Sequence, residues 1–222
     1  MSRTISYGPM HSKSNQKVDR YPSFCGICHK NVEPIFIGTN LDNNTIIPNK
    51  VEAAFQCANT DCSSIMIGYY TREDPRSEYR LIDSAPLNPV EEDFNKEIVK
   101  VSPNFISIYN QSYFAEQSKL ELIAGIGYRK ALEFLVKDYL IFLNPHQEEE
   151  ILNKFLGKCI EMVDNEKIKE ISRRASWLGN DEAHYIRKWE NKDVNDLKKL
   201  IEVTVYFISM DISTRSYLEE MQ

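Results

Sequence analysis

Two closely spaced pairs of cysteines constrain the fold of this chain more than any other feature. Cys25 and Cys28 lie in SFCGICHK, and Cys57 and Cys62 lie in CANTDC. A short turn that carries two cysteines presents both sulfurs to one ion, and Zn²⁺ prefers such ligands in a tetrahedron. The two spacings therefore predict a structural Zn²⁺ site with all four cysteines as its ligands.

Other chemistries use parts of the same pattern. A C-x-x-C-H sequence attaches a c-type haem, and a lone C-x-x-C can be a redox dithiol. Haem attachment leaves Cys57 and Cys62 unexplained, and a redox dithiol is typical of a βαβ context that does not follow here. An oxidised or free-thiol arrangement stays open beside zinc. His29 is interpreted as a bystander because four cysteines complete the shell, and Cys159 as a small buried residue of a helix.

The sequence around the cysteines predicts a small antiparallel sheet. Strands are expected in VEPIFIG, KVEAAFQC, SSIMIGYYT and EYRLIDSA, and the turn-rich LDNNTIIPNK joins the first two. Residues 21–85 are therefore predicted to form a zinc ribbon, preceded by a flexible basic arm over residues 1–20. A closed four-cysteine site has no open metal position, so the ribbon is interpreted as structural. Whether it also binds nucleic acid or protein stays open.

A helical pattern follows a stretch that contains three prolines within SAPLNPV and VSPNF. Residues 86–104 are predicted to be a linker, and residues 105–222 an all-α bundle of four or five helices. Expected helices run from Ile106 to Leu143, within HQEEEILNKFLGKCIEMV, within NEKIKEISRRASWLG, and onwards from Asp193, a predicted N-cap. The fold class is therefore α+β, with a small β zinc ribbon followed by a helical bundle.

Two apolar stripes run along the first of these helices. One stripe, expected in the core, comprises Leu120, Ala124, Ala131, Leu135 and Tyr139, and the other comprises Leu122, Ile126, Val136 and Leu140. Arg129 and Glu133 fall within the second stripe, one helical turn apart. A charged pair among apolar neighbours has to be paired or functional, because an unpaired buried charge is costly. A structural pair and an active or dimer-interface site both stay open.

A second polar candidate lies in WLGNDEAHY. If this segment is helical throughout, Asn180 and His184 share one face. If Gly179 and Asn180 end a helix, Asp181 caps a new one and His184 lies in its first turn. Histidine is the side chain that titrates closest to neutrality, so His184 is a candidate general acid or base.

These two segments together resemble the HEPN superfamily of α-helical bundles. GIGYRKALEFLVKDYL carries an R-x-x-x-E pair, Arg129 and Glu133, and ISRRASWLGNDEAHY carries a G-N-x-x-A-H motif that ends at His184. The similarity covers roughly residues 100–215 and is to a widespread bacterial domain of unknown function within that superfamily. It implies a helical bundle, frequent homodimerisation and an association with restriction and anti-phage defence loci. A zinc ribbon is a known kind of partner for such domains.

The resemblance also implies a candidate activity, because many HEPN proteins are metal-independent ribonucleases. Their R-x(4–6)-H motif supplies an arginine that stabilises the phosphate and a histidine that assists attack by the ribose 2′-hydroxyl. Counting back from His184, those positions hold no arginine but Trp177, Leu178 and Gly179. Arg129 is a candidate replacement, since phosphate stabilisation depends on position in space.

Three functions follow from this interpretation. The favoured one is a non-catalytic or regulatory binding module of a bacterial defence or nucleic-acid-processing system, with RNA, a nucleotide or a protein as its partner. Arg129, Glu133, Asn180 and His184 then form a polar binding site or a structural network. The second is a ribonuclease with His184 and Arg129 as catalytic residues, and the third is a structural adaptor or dimerisation protein.

Charge and hydropathy limit the location and the partners. The formal net charge of −6 argues against a general nucleic-acid coat, which needs clustered Lys and Arg. The first residues contain no apolar segment typical of a secretory signal, and no apolar run approaches the roughly 20 residues that span a bilayer. A cytoplasmic protein without a membrane partner is therefore expected.

Overall fold

A computed structural model of the chain describes residues 3–7, 14–40 and 49–221. The chain divides into two compact units, a β unit over Met1–Pro89 and a helical unit over Val90–Gln222. The division lies inside the predicted linker, residues 86–104. Antiparallel strands in the first unit and seven α-helices among the described residues of the second confirm the α+β class. The turn-rich segment LDNNTIIPNK lies largely outside the described residues.

The β unit contains two antiparallel sheets. The strands are β1 Arg3–Tyr7, β2 Ser14–Val18, β3 Ile35–Thr39, β4 Lys50–Gln56, β5 Ile65–Thr71 and β6 Arg80–Ala85. β1 pairs with β2, and the other four form a sheet in the order β3-β4-β5-β6. The four strands of the larger sheet match the four predicted from the sequence.

Alternating burial explains why these segments form strands. Val51, Ala53 and Phe55 of β4 are buried, and Met66 and Tyr70 of β5 are buried beside them. A period of two places such residues on one face of a pleated sheet. One face of the sheet therefore carries the apolar core of the β unit. The cysteines of both cysteine-bearing turns pack into this core as well.

The N-terminal residues differ from the predicted flexible arm. Ile5 and Val18 are fully buried, and Val18 forms a bridge with Tyr79. The Asp19 carboxylate also accepts a hydrogen bond of 2.9 Å from the backbone N–H of Leu81. The described residues of this segment therefore belong to the β unit. Burial of these two apolar side chains stabilises the segment against the sheet, although its basic charge predicted a solvated tail.

Seven helices make up the helical unit in the described residues. They are α1 Lys96–Val101, α2 Pro103–Gln117, α3 Glu121–Leu143, α4 Glu148–Leu152, α5 Leu156–Glu161, α6 Glu166–Ala183 and α7 Val194–Glu220, with a short 3₁₀ turn at Pro145–Gln147. α1 and the first residues of α2 occupy part of the predicted linker. Asp193 caps α7 in a capping box, as predicted.

Two predicted helices are each divided in the structure. The helix expected from Ile106 to Leu143 is α2 and α3, because Lys119 adopts a left-handed backbone conformation with φ 61°. A residue in that conformation ends a helix. The helix expected in HQEEEILNKFLGKCIEMV is likewise a 3₁₀ turn followed by α4 and α5.

α3 is the central helix and touches all six others. Ala124, Ala131, Leu135 and Tyr139 of the predicted core stripe are buried, whereas Leu120 lies before the helix and is half exposed. The second stripe is divided, with Val136 and Leu140 buried and with Leu122 and Ile126 exposed. Homodimerisation stays a prediction.

No helix among the described residues is long and apolar enough to cross a membrane.

Candidate metal centre and polar groove

The structure brings the four predicted cysteines of the β unit together. The sulfurs of Cys25, Cys28, Cys57 and Cys62 all lie within 4.8 Å of one another, and none is in a disulfide. The Cys25–Cys62 and Cys28–Cys57 sulfur pairs are each 3.8 Å apart. Four ligands about 2.3 Å from a tetrahedral ion lie about 3.8 Å from one another. Two of the sulfur–sulfur distances therefore match those of a tetrahedral metal site, and the others are no longer than 4.8 Å.

The two cysteine turns have the same backbone hydrogen-bond pattern although their lengths differ. In the first turn the N–H of Cys25 donates to the carbonyl of Lys30 over 3.0 Å. In the second the N–H of Cys57 donates to the carbonyl of Ser64 over 2.9 Å. Each acceptor stands two residues after the second cysteine of its pair. The backbone therefore closes both turns in the same way and aims both pairs of sulfurs at one point.

A left-handed residue follows the second cysteine in each turn. His29 follows Cys28 with φ 54°, and Ser63 follows Cys62 with φ 48°. This conformation reverses the chain directly after the ligand, so that the turn can close. His29 is not part of the sulfur cluster, which agrees with its interpretation as a bystander. Its role in the turn is a backbone role.

The local environments of the sulfurs differ. A hydrogen bond with the Asn59 side chain lowers the pKa of the Cys28 thiol to about 6, whereas burial raises the pKa of the Cys57 thiol to about 12. A hydrogen bond with the Ser64 side chain lowers the pKa of Cys62. Metal ligation requires all the thiols as thiolates, whose mutual repulsion a cation at the centre of the cluster offsets.

A second candidate site lies in the helical unit, where α3 and α6 meet. The Nε of Arg129 on α3 donates to the Oδ1 of Asn180 on α6 over 2.7 Å. One terminal nitrogen of Arg129 lies 3.9 Å from Glu133, whose other carboxylate oxygen is 2.9 Å from Lys137. About a third of the Arg129 and Glu133 side chains is exposed, at 33% and 29%. The predicted charged pair is therefore only partly buried.

Arg129, Glu133 and Asn180 line a groove of about 400 Å³, called here the Arg129 groove. Helix α5 and the residue before it also contribute to the lining, and the side chain of that residue, Phe155, is exposed. The lining comprises Arg129, Glu133, Phe155, Leu156, Gly157, Ile160, Glu161, Arg173, Ser176, Trp177 and Asn180. Arg173 pairs with Glu161 over 2.8 Å and also with Glu170. The groove therefore combines two arginines, two carboxylates and several apolar side chains.

His184 lies outside this groove. α6 ends at Ala183, and His184 follows it with an extended backbone and an exposed side chain. Neither sequence alternative is correct, since the helix neither continues through His184 nor restarts at Asp181. The Asp181 carboxylate instead accepts the backbone N–H groups of Lys188 and Trp189, at 2.8 and 2.7 Å. The structure thus groups Arg129 with Glu133 and Asn180, while His184 stands apart.

Asp181 is expected to hold the segment between α6 and α7. Its carboxylate is buried, so Asp181→Ala should lower the free energy of unfolding by about 1.5–3 kcal/mol, because two charge-assisted hydrogen bonds are lost. Urea denaturation of the full chain measures this change, and hydrogen exchange at Lys188 should speed up. Asp164→Ala removes an exposed carboxylate and should change stability by less than about 0.5 kcal/mol. Equal effects of the two substitutions would contradict this role.

Sequence reasoning missed several residues of the groove. Lys137 does not line the groove but pairs with Glu133, and the spacing of these two residues by one helical turn predicts such an ion pair. Arg173 and Phe155 carry no such signal, since the packing of α5 against α6 and α3 brings them to the cavity. No local pattern in the sequence reports that contact.

Comparisons with known proteins add no relative. No family model, curated protein or solved structure matches this chain significantly. The resemblance to the HEPN superfamily therefore rests on the two sequence motifs alone.

Proposed function

We propose that the four cysteines hold one structural Zn²⁺ and that the β unit is a zinc ribbon. The 3.8 Å sulfur–sulfur distances and the matched backbone turns support this assignment. Four thiolates in a tetrahedron are typical ligands of zinc or of iron. The ion would stabilise the fold and leave no position for a substrate, because the cysteines complete its shell.

We propose that the helical unit is a non-catalytic, HEPN-like module that binds an anionic ligand in the Arg129 groove. One observation carries this proposal. Asn180 fixes the Arg129 guanidinium through Nε, while neither terminal nitrogen makes a hydrogen bond within the described part of the chain. An oriented guanidinium with free donors at an open cavity suits a phosphate or carboxylate.

The position of His184 favours binding over cleavage. Phosphodiester cleavage needs an acid–base group and a phosphate-stabilising group at the same phosphate. His184 does not line the groove that contains Arg129. The sequence resemblance supports an assignment of this module to a bacterial defence or nucleic-acid-processing system, with RNA as the first ligand to test.

Bulk tRNA without added divalent metal tests this function. The full chain should retain tRNA on a filter at low salt without cutting it, and Arg129→Gln should weaken retention about tenfold or more, because charge-assisted hydrogen bonds are lost. Lys130→Gln is the matched control, since Lys130 is the exposed neighbour of Arg129 and carries the same charge. His184→Ala should bind like the wild type.

The same assay separates the competing functions. Cleavage by the wild type that disappears in His184→Ala would replace the binding proposal with a ribonuclease. Equal tRNA retention by Arg129→Gln and Lys130→Gln would show that the groove is not the binding site. No retention at all, with a loss of stability in Arg129→Gln, would identify the polar residues as structural and the protein as an adaptor. Circular dichroism on each variant confirms that the comparison is between folded proteins.

A further inference from the structure

The chain contains two tryptophans, and the fold places them face to face. Trp177 lies on α6 and Trp189 in the segment between α6 and α7. Their ring centroids are 6.3 Å apart and their planes differ by 11°. Both residues are partly exposed to solvent, Trp177 by 44% and Trp189 by 42%. Offset parallel rings at this distance leave part of each aromatic face uncovered.

The segment that carries Trp189 is held in place rather than loose. The backbone N–H of Trp189 donates to the buried carboxylate of Asp181 over 2.7 Å. The same oxygen accepts the N–H of Lys188. The backbone of Trp177 is fixed by its position within α6, and its ring packs against that of Trp189. The aromatic pair is therefore organised before any ligand arrives, which reduces the entropy lost on binding.

A cavity of about 300 Å³ opens beside the pair, called here the tryptophan cavity. Leu178 and Leu200 complete its apolar lining with the two indole rings. Such a volume lies at the lower end of the range for small-molecule sites. An apolar cavity with two parallel aromatic rings suits a planar ring system.

The rim of the tryptophan cavity carries an excess of positive charge. Arg174 is bonded to Glu170 over 2.6 Å, and Lys192 is paired with Asp196 over 3.2 Å. Lys199 also lines the cavity, is exposed, and has no ion-pair partner in the part of the chain that the structure describes. Three cations against one carboxylate line the cavity, which favours an anion and disfavours an organic cation.

We propose that the tryptophan cavity binds a nucleotide, whose base stacks on Trp177 and Trp189 and whose phosphate contacts Lys199. Base–aromatic stacking is worth about 1–3 kcal/mol per base and tolerates any base, because every base has a π-face. The free ammonium of Lys199 supplies the charge for the phosphate. A free nucleotide and a single-stranded RNA both present this chemistry.

This site stands independently of the Arg129 groove. The two cavities share Trp177 in their linings but no cation. The proposal therefore does not require that Arg129 bind tRNA, and substitutions at Lys199 and Arg129 report on the two sites separately.

Tryptophan fluorescence of the full chain tests the proposal directly, because both tryptophans belong to the site. AMP, adenosine, ribose 5-phosphate and a single-stranded oligoadenylate are titrated separately, with equilibrium dialysis as the second measurement. AMP or the oligoadenylate should quench the emission and bind more tightly than adenosine or ribose 5-phosphate. Tighter binding of AMP identifies a free nucleotide as the source, and binding of the oligoadenylate alone identifies single-stranded RNA.

Two substitutions locate the binding. Trp189→Leu should weaken it by about tenfold or more in dialysis, because stacking is lost. Lys199→Gln should weaken it about fivefold, whereas Lys130→Gln, outside both cavities, should leave it unchanged. Ribose 5-phosphate that binds as well as AMP would reduce the site to a simple anion site and overturn the proposal. So would the absence of quenching and binding by both AMP and the oligoadenylate.

Discussion

Removal of the metal is expected to unfold the β unit while the helical unit keeps its secondary structure. Each unit has a hydrophobic cluster of its own, one around the sheet and one around α3. The cluster of the β unit includes Cys25 and Cys57, so the ligands are part of the core that they hold together. A chelator should therefore abolish the strand signal in circular dichroism and leave most of the helical signal.

The expected effect is large because the β unit is small. Structural Zn²⁺ contributes about 10–16 kcal/mol of apparent binding free energy in small zinc domains near pH 7, which is more than a small core supplies. Acid should act like a chelator, because protons compete with the metal for the thiolates. Metal analysis of the purified chain should give one zinc per chain, and iron instead of zinc would change the metal while keeping the site.

Cysteine substitutions give the control. Cys57→Ala should lose the metal and unfold the β unit, whereas Cys159→Ala should keep the full metal content. Cys159 is buried in the helical unit, and its thiol faces the backbone carbonyl of Ile151 at 3.7 Å, far in sequence from any ligand. Equal metal content in the two variants, or a β unit that survives chelation, would contradict the zinc ribbon.

The β unit was the easier part to predict from the sequence, for physical reasons. Two pairs of cysteines that are distant in sequence can bind one ion only if the fold brings them together. The four cysteines therefore predict a long-range contact, which most sequence patterns do not. The strands β4 and β5 show the period of two that burial on one face produces. The pairing of β1 with β2 was missed because Ile5 and Val18 are isolated apolar residues in a basic segment.

The polar groove was predicted only in part. Arg129 and Glu133 are neighbours on one helix, so their contact follows from helical spacing. The end of α6 was not predictable in the same way, because it depends on Asp181 accepting N–H groups seven and eight residues later. That return of the chain leaves His184 outside the groove. Local motifs therefore gave some residues of the site but not which of them act together.

Gly179 is the part of the G-N-x-x-A-H motif that the structure explains best. A β-carbon at Gly179 would lie 2.8 Å from the β-carbon of Arg129 and 2.9 Å from its γ-carbon. Gly125 on α3 faces α6 in the same manner, with 2.7 Å from its β-carbon position to Glu182. Two glycines thus allow α3 and α6 to approach closely enough for Arg129 to reach Asn180. The glycine of the motif is explained by packing and does not by itself indicate catalysis.

Gly179→Ala is accordingly expected to destabilise the helical unit by about 1–3 kcal/mol, the usual cost of an extra methyl group in a packed interface. The helices have to separate, so the Arg129–Asn180 hydrogen bond should also weaken, which NMR of the Arg129 Nε–H resonance would show.

Gly157→Ala is the matched control, because no atom outside its own helix and its chain neighbours lies within 4 Å of its β-carbon position. Alanine in that helix should raise stability by up to about 1 kcal/mol through its higher helix propensity. Urea denaturation of the full chain should therefore give changes of opposite sign. If both substitutions stabilised the unit, helix propensity alone would account for both glycines, and the close approach of α3 and α6 would have no bearing on the groove.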